Sequence, residues 1–235
     1  MRSFYAFAGY LSSIIGLAAM TLVAFPATCS AQTWPERPIR LLVGFAPGGG
    51  SDIVARLIAK PLGDRLGQPV MVENRAGAGG NLAADAAAKA PPDGYTLVLL
   101  PSGHVSNAAM KKTLPFDPVK DFAWVSTVTT YPLVLAVPPN SPISSFPDLL
   151  ERIKATPDRL TYTSVGVGTA MHLVGEWILA ESGGRAIHVP FRGGTGPLTD
   201  LLGGRVDVMI DTMTSTAPML QDKRLRGLAV TSPKG

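Results

Sequence analysis

Gly44-Phe45-Ala46-Pro47-Gly48-Gly49-Gly50-Ser51-Asp52-Ile53-Val54-Ala55-Arg56-Leu57 places three consecutive glycines, a serine and an aspartate at the mouth of a helix. The apolar run just before it, residues 39–45 between Pro38 and Pro47, reads as a short buried strand. After it, Ser51 is a good N-cap residue, and Ile53, Val54, Leu57 and Ile58 recur at helical spacing as one apolar face. Pro61 lacks an amide hydrogen and is expected to end or kink that helix.

The same unit returns three times. Residues 70–73 read as a strand, Gly77-Ala78-Gly79-Gly80 as a turn, and Asn81 as the cap of an alanine-rich helix reaching about Lys89. The turn signal Pro91-Pro92-Asp93-Gly94 precedes a further buried strand at 95–100. Residues 160–164 lead into Gly166-Val167-Gly168, with Thr169 capping a helix to about Glu181. Residues 187–189 lead into Arg192-Gly193-Gly194-Thr195-Gly196, with Pro197 in a first helical turn and Gly203-Gly204 closing it. Residues 206–210 are the next strand, ending at Asp211. Strand, glycine turn and helix in repetition predict α/β sheets with parallel strands, whose ligands sit at the carboxyl ends of the strands. Residues 125–137 read as extended strand, 127–137 as the crossing to a second lobe, and 225–231 as a strand crossing back.

The chain has 235 residues, 46% hydrophobic and 16% charged, with a net charge of +4 that is spread out. No basic stripe with interleaved aromatics occurs, which argues against nucleic acid as a partner. The first 31 residues differ in kind: one charge, Arg2, then an apolar run from Leu11 to Phe25, then Cys29-Ser30-Ala31 with small side chains. They read as a cleavable secretory signal, with Gln32 as the mature start. Cleavage would remove Cys29, the single cysteine, leaving no thiol chemistry and no disulfide. Secretion to the periplasm and a monomer are expected.

Several chemistries lack their residues. No glycine-lysine-hydroxyl P-loop follows any strand, and Ile53 stands where a dinucleotide fingerprint needs its third glycine, although Glu73 mimics its acidic residue. There is no G-x-S-x-G elbow; a triad could be drawn only from Ser164, His172 and Asp211. His104, His172 and His188 lack metal-ligand spacing, so no metal and no cofactor are expected. A secreted hydrolase or a nucleotide-binding enzyme using the glycine turns is the alternative reading. The favoured one is anion capture by helix N-termini, where amide groups and the macrodipole attract negative charge. Ser51, Asn81 and Thr169 would add side-chain donors or simply cap. Asp52 reads as a structural carboxylate before a ligand contact, His172 as capping partner or pocket donor, and Trp124, Trp177 and Phe191 as core.

The motifs Trp34-Pro35-x-x-Pro38-Ile39-Arg40, Phe45-x-Pro47-Gly48-Gly49-Gly50-Ser51-Asp52, Val72-Glu73-Asn74-Arg75-x-Gly77-Ala78-Gly79-Gly80-Asn81 and Pro92-Asp93-Gly94-Tyr95-Thr96 resemble the tripartite tricarboxylate transporter substrate-binding (Bug-type) family. Asp117-Pro118-x-x-Asp121-Phe122, His188-Val189-Pro190-Phe191-x-Gly193-Gly194 and Asp200-Leu201-Leu202-Gly203-Gly204-x-Val206-Asp207 continue the match. The resemblance implies a two-lobed, type II-like Venus flytrap that closes on a small carboxylate for a membrane permease. It implies a signal peptide at 1–31, a first lobe at 32–126, a second lobe with hinge strands at 127–230, and a return at 231–235. The C-terminal part of the first lobe is expected to be missing. Carried onto this sequence, the ligand would meet Phe45, Gly49, Gly50, Ser51 and Asp52 from one lobe and Ser164, Gly168, Thr169 and His172 from the other. Gly80, Asn81, Ser102 and Asp211 would lie at the rim or floor. A dicarboxylate, tricarboxylate, acidic amino acid or aromatic acid would fit such a site.

Overall fold

Ile39–Val43, apolar at four of five positions, forms β1, the centre of a three-stranded sheet ordered β2-β1-β3. The computed structural model describes residues 33–110 and 113–232. Both neighbours, β2 (Val70–Asn74) and β3 (Thr96–Leu99), run parallel to β1, which is buried at every position but Arg40. Helix α1 (Gly50–Leu66) connects β1 to β2, and α2 (Asn81–Ala88) connects β2 to β3. A second sheet of five strands is ordered β6-β5-β7-β4-β8. It comprises β4 (Leu133–Val137), β5 (Thr161–Ser164), β6 (Ile187–Pro190), β7 (Val208–Thr212) and β8 (Arg226–Val230). Strands β5, β6 and β7 are parallel, while β4 runs against both β7 and β8. The described residues from Arg37 onward form one compact unit containing both sheets. The signal-sequence reading falls outside the described residues.

The alternation read from the sequence is therefore present, with strand ends displaced by one or two residues. Three helices were not foreseen: α3 (Gly103–Met110), α4 (Phe146–Ala155) and α7 (Met213–Gln221). Two more, α5 (Ala170–Ser182) and α6 (Gly196–Leu202), were. Helix α4 begins where Ser145 accepts the Asp148 amide hydrogen bond, with proline in its first turn. Its apolar positions Leu149 and Ile153 pack into the main core of the second sheet with Leu135, Tyr162 and Ile210.

Several local expectations need correction. Pro61 does not end α1, which runs on to Leu66. The carbonyl that Pro61 leaves unbonded belongs to Leu57, which lies on the exposed face at 68% accessibility, where water can take the bond. Leu57 is thus not part of the buried face, which is made by Val54, Ala55 and Ala59. Trp124 and Trp177 are exposed rather than core. Of residues 125–137 only Leu133–Val137 is strand. A strand needs a partner for its ladder, and within the described residues only that stretch finds β7 and β8.

Candidate functional site

The turns that follow β1, β2, β5 and β6 stand at the carboxyl ends of parallel strands, and a cavity of about 340 Å³ opens among them. From the first sheet come Phe45 and the turn Gly77-Ala78-Gly79, backed by Asn107 and Met110 of α3. From the second come Val165-Gly166-Val167-Gly168 after β5, and Phe191 and Arg192 after β6. Walls of aromatic and aliphatic side chains interrupted by peptide groups are typical of a small-molecule site, and the volume lies in the usual range.

The turn after β5 is held rigid from beneath. Ser164, fully buried, accepts the Gly166 amide at 3.0 Å and bonds His188 Nε2 at 2.7 Å. Thr169 Oγ1 donates to the Gly166 carbonyl at 2.7 Å, and the Gly168 amide donates to His172 Nδ1 at 3.2 Å. The His172 and His188 rings lie 4.3 Å apart, and Tyr162 stacks on His188. Burial, then the neighbouring His172, holds the His188 pKa below its ordinary value, so the ring is neutral at pH 7. Gly168 adopts φ +82°, and any side chain there would run into the Asn107 amide. Asn107, almost fully buried, donates from Nδ2 to the Gly79 carbonyl at 3.2 Å. One amide thus braces both glycine turns of the cavity.

The first turn is built differently. The Ala46 amide donates to the Arg192 carbonyl at 2.9 Å, Gly49 packs on Gly194, and Gly50 packs on the Thr212 side chain. Helix α1 starts at an N-cap of Gly49, not Ser51. Asp52, in the third helical position, reaches back past the N-cap to accept the Gly48 amide at 2.9 Å. Its carboxylate also accepts from Arg56 and Asn74. Burial alone would raise the Asp52 pKa, but the hydrogen bonds from Arg56, Gly48 and Asn74 outweigh it and hold the group below its ordinary value. Asp52 is a structural carboxylate. The pKa of Tyr131 is raised by burial and by the nearby Asp211, with Ser51 opposing the rise. Asp211 itself is buried, accepts the Thr212 amide at 2.6 Å, and is pushed up by desolvation.

Of the residues singled out from sequence, Phe45 and Gly168 line the cavity. Gly80 is buried next to it, its backbone against the Phe45 ring. Gly80, in the left-handed region at φ 96°, is the N-cap of α2, so Asn81 is the first helical residue rather than the cap. Asn81 is buried, and its amide nitrogen has no partner among the described residues. Thr169 does hold the N-cap position of α5, but its hydroxyl donates outward to Gly166 instead of capping. Ser164, Thr169 and His172 hydrogen-bond within the turn after β5, Gly49, Gly50, Asp52 and Asp211 are buried, Ser51 is half-buried and Ser102 is exposed, and none of them is among the residues lining this cavity. The drawn triad does not assemble: Ser164 bonds His188, His172 serves Gly168, and Asp211 serves Thr212. Asn107, Met110, Phe191 and Arg192 are cavity residues that the sequence reading did not assign to the site. Arg192 carried a signal, since it opens one of the recognised glycine turns; Asn107 lies on an eight-residue helix that the sequence reading did not identify. Among the described residues no group of three or more His, Cys, Asp or Glu could hold a metal, and no helix is long and apolar enough to cross a membrane.

A parallel sheet and a mixed sheet, meeting through turns around one cavity, define the two-lobed α/β class of periplasmic binding proteins. The chain belongs to the tripartite tricarboxylate transporter receptor family: the sequence profile of the tripartite tricarboxylate transporter family receptor matches residues 54–235. Protein BugT of Bordetella pertussis is 37% identical over 224 residues, covering 94% of this chain and 68% of its own. A UPF0065 protein from the gbd 5′ region of Cupriavidus necator is 38% identical over 99% of this chain and 70% of its own. Against solved structures, R. palustris Rpa4515 with adipate aligns at TM-score 0.81 and 37% identity, covering 86% of this chain and 68% of that one. MatC from Rhodopseudomonas palustris with bound malate aligns at TM-score 0.80 and 31% identity, covering 85% and 68%. The chain spans 62 to 70% of the length of the full-scale curated relatives it matches.

Proposed function

We propose that this chain is the ligand-capturing part of a periplasmic solute receptor that takes a small organic carboxylate between its two sheets and presents it to a tripartite tricarboxylate transporter-type permease. The observation that carries the reading is the cavity between Gly77–Gly79 and Val165–Gly168: its walls offer peptide groups and one guanidinium, and no carboxylate side chain. Such a cavity attracts an anion and rejects a cation. That one relative is described with adipate and another with malate supports the same ligand class.

In this reading the turn amides hold the carboxylate, and the orphaned Asn81 nitrogen beside the first-sheet turn donates to it directly or through water. Thr169, His172 and Ser164 set the geometry of the second-sheet turn. Ser51, Asp52 and Asp211 keep α1 seated. Residues 32–126 and 127–230 act as the two lobes, with β4 and β8 as crossing strands, and ligand biases an equilibrium between open and closed arrangements. Capture without turnover is the expected activity, by a monomer exported behind the signal at 1–31.

A thermal-shift panel of adipate, malate, citrate, glutamate, benzoate and ATP on this chain tests the proposal. A binder at a hundredfold excess over its Kd should add about 2.7 kcal/mol of stability. Stabilisation by one or more of the organic acids and not by ATP is expected. Stabilisation by ATP alone, or consumption of a binding acid during incubation, would defeat the receptor reading.

A further inference from the structure

We infer that His172 is a positioning residue that acts through a peptide flip: on taking up a proton it reverses the Val167–Gly168 peptide, which turns an amide hydrogen toward the cavity, so that anion and proton are captured together. This rests on the receptor reading above and adds how the second-sheet turn responds to its ligand.

Residues 166–169 form a β-turn closed by the Thr169 amide, which donates to the Gly166 carbonyl at 3.2 Å. Gly168, third in the turn, has φ +82°, while Val167 has negative φ, which makes the turn type II. Type I and type II turns share the closing bond and differ by reversal of the central peptide, the third residue moving to φ about −90°. Glycine takes either value at no steric cost, so Gly168 leaves this peptide able to reverse.

What holds the peptide in its present sense is His172. The Gly168 amide donates to His172 Nδ1 at 3.2 Å, so that nitrogen carries no proton. On the other side of the same peptide, the Val167 carbonyl oxygen lies 3.1 Å from where a Cβ on Gly79 would stand. Gly79 and Val167 both line the cavity. The peptide thus turns its oxygen toward the first-sheet turn and its hydrogen away from it. An imidazolium has two donors and no acceptor, so it repels the Gly168 hydrogen and can donate instead to the carbonyl of a reversed peptide. That reversal carries the Gly168 hydrogen to the cavity side, where a carboxylate accepts it in a charge-assisted bond.

The groups around His172 accommodate one positive charge. Glu176, one turn along α5, places Oε1 at 3.8 Å from His172 Nε2, where it can receive the second imidazolium proton. Tyr162 of β5 donates its hydroxyl to the same oxygen. The His188 ring of β6 lies 4.3 Å from the His172 ring, and burial, then His172 itself, keeps His188 neutral. The amino-terminal end of α5 opposes a cation at this position, and a carboxylate held by the turn offsets that opposition. The coupling is reciprocal: whatever the proton adds to anion affinity, the anion adds to proton affinity.

The test runs from about pH 8 to about pH 6, where histidines change charge while carboxylic acids with ordinary values near 4 stay largely ionised. In ligand-free wild-type chain, NMR should show the Gly168 amide shifting with the same midpoint as the His172 ring. The tightest binder among adipate, malate, glutamate and benzoate should bind about fivefold more tightly at the acid end, with proton uptake seen as calorimetric heat that varies with the buffer. His172→Gln keeps an oxygen to accept the Gly168 hydrogen but takes no proton, and should bind that acid equally at both ends. A Gly168 amide that ignores the His172 titration, an affinity that does not rise toward acid, or a rise that survives in His172→Gln overturns this inference and leaves the receptor reading standing. If none of these acids binds at either pH, both fall.

Discussion

The turn after β1 and the turn after β5 are both rich in glycine, and their glycines meet different surroundings. In 44–50 the glycines make room for protein: Gly44 lies on the Gly80 backbone, Gly49 on Gly194, and Gly50 on Thr212. In 165–168 the glycines open onto the cavity, and the hydrogen bonds from Ser164, Thr169 and His172 come from behind. Glycine permits close approach of the chain itself in both places, but only in the second do the contacts, Gly166 with Gly79 and Gly168 with Asn107, border the cavity. We propose that the first turn serves stability and the second the ligand.

Substitutions can pull these two roles apart. Gly44→Ala should be the most damaging, because its new methyl group would sit 2.5 Å from the Gly80 Cα, a backbone atom that cannot swing away. A loss of about 3 kcal/mol in urea unfolding is expected, at the upper end of overpacking costs. Little or no loss would mean that the turn is softer than its contacts imply. Asp52→Asn comes next, at about 2 kcal/mol, since the charged acceptor for Arg56 and the Gly48 amide is lost. The Asp52 pKa is lowered in the folded state, so its contribution is present above the ordinary carboxylate pKa of about 4 and disappears as pH falls through the folded value. Melting curves of wild type and Asp52→Asn should thus differ most near pH 7 and converge below about pH 4. A gap that stays constant across that range would remove the carboxylate's charge from the account.

Gly168→Ala tests the other turn and should cost the fold least. The positive φ strains an alanine by about 1 kcal/mol, and its methyl group meets the Asn107 amide, a side chain that can shift. Affinity for whichever acid stabilises the wild type should fall about tenfold or more, because Asn107 also braces Gly79. Intact affinity with a large stability loss would reverse the assignment of the two turns.

Much of this was legible in the residues. Strand–turn–helix repetition gave the α/β class and the parallel strands, and the ordered motifs gave the family. Turn identity was legible too, but the direction a turn faces was not. Gly48-Gly49-Gly50-Ser51 has all the marks of an anion loop, yet the Gly48 amide is taken by Asp52 and the Ala46 amide just before it by the Arg192 carbonyl. Asn107 and Arg192 illustrate the other limit. One sits on an eight-residue helix that the sequence reading did not identify, the other on a turn read for its glycines, and each lines the cavity only because a distant segment lies opposite.

By itself, then, the amino-acid order determines local geometry: where the chain runs extended, where it can take positive φ, where a helix begins and which positions repel water. Those depend on a residue and its near neighbours. Only the tertiary structure decides that Gly166–Gly168 meets Gly77–Gly79 across a cavity and that Arg192 stands at its edge. A site for an anion needs donors converging from several segments, and convergence is set by how two sheets pack, which no single stretch encodes.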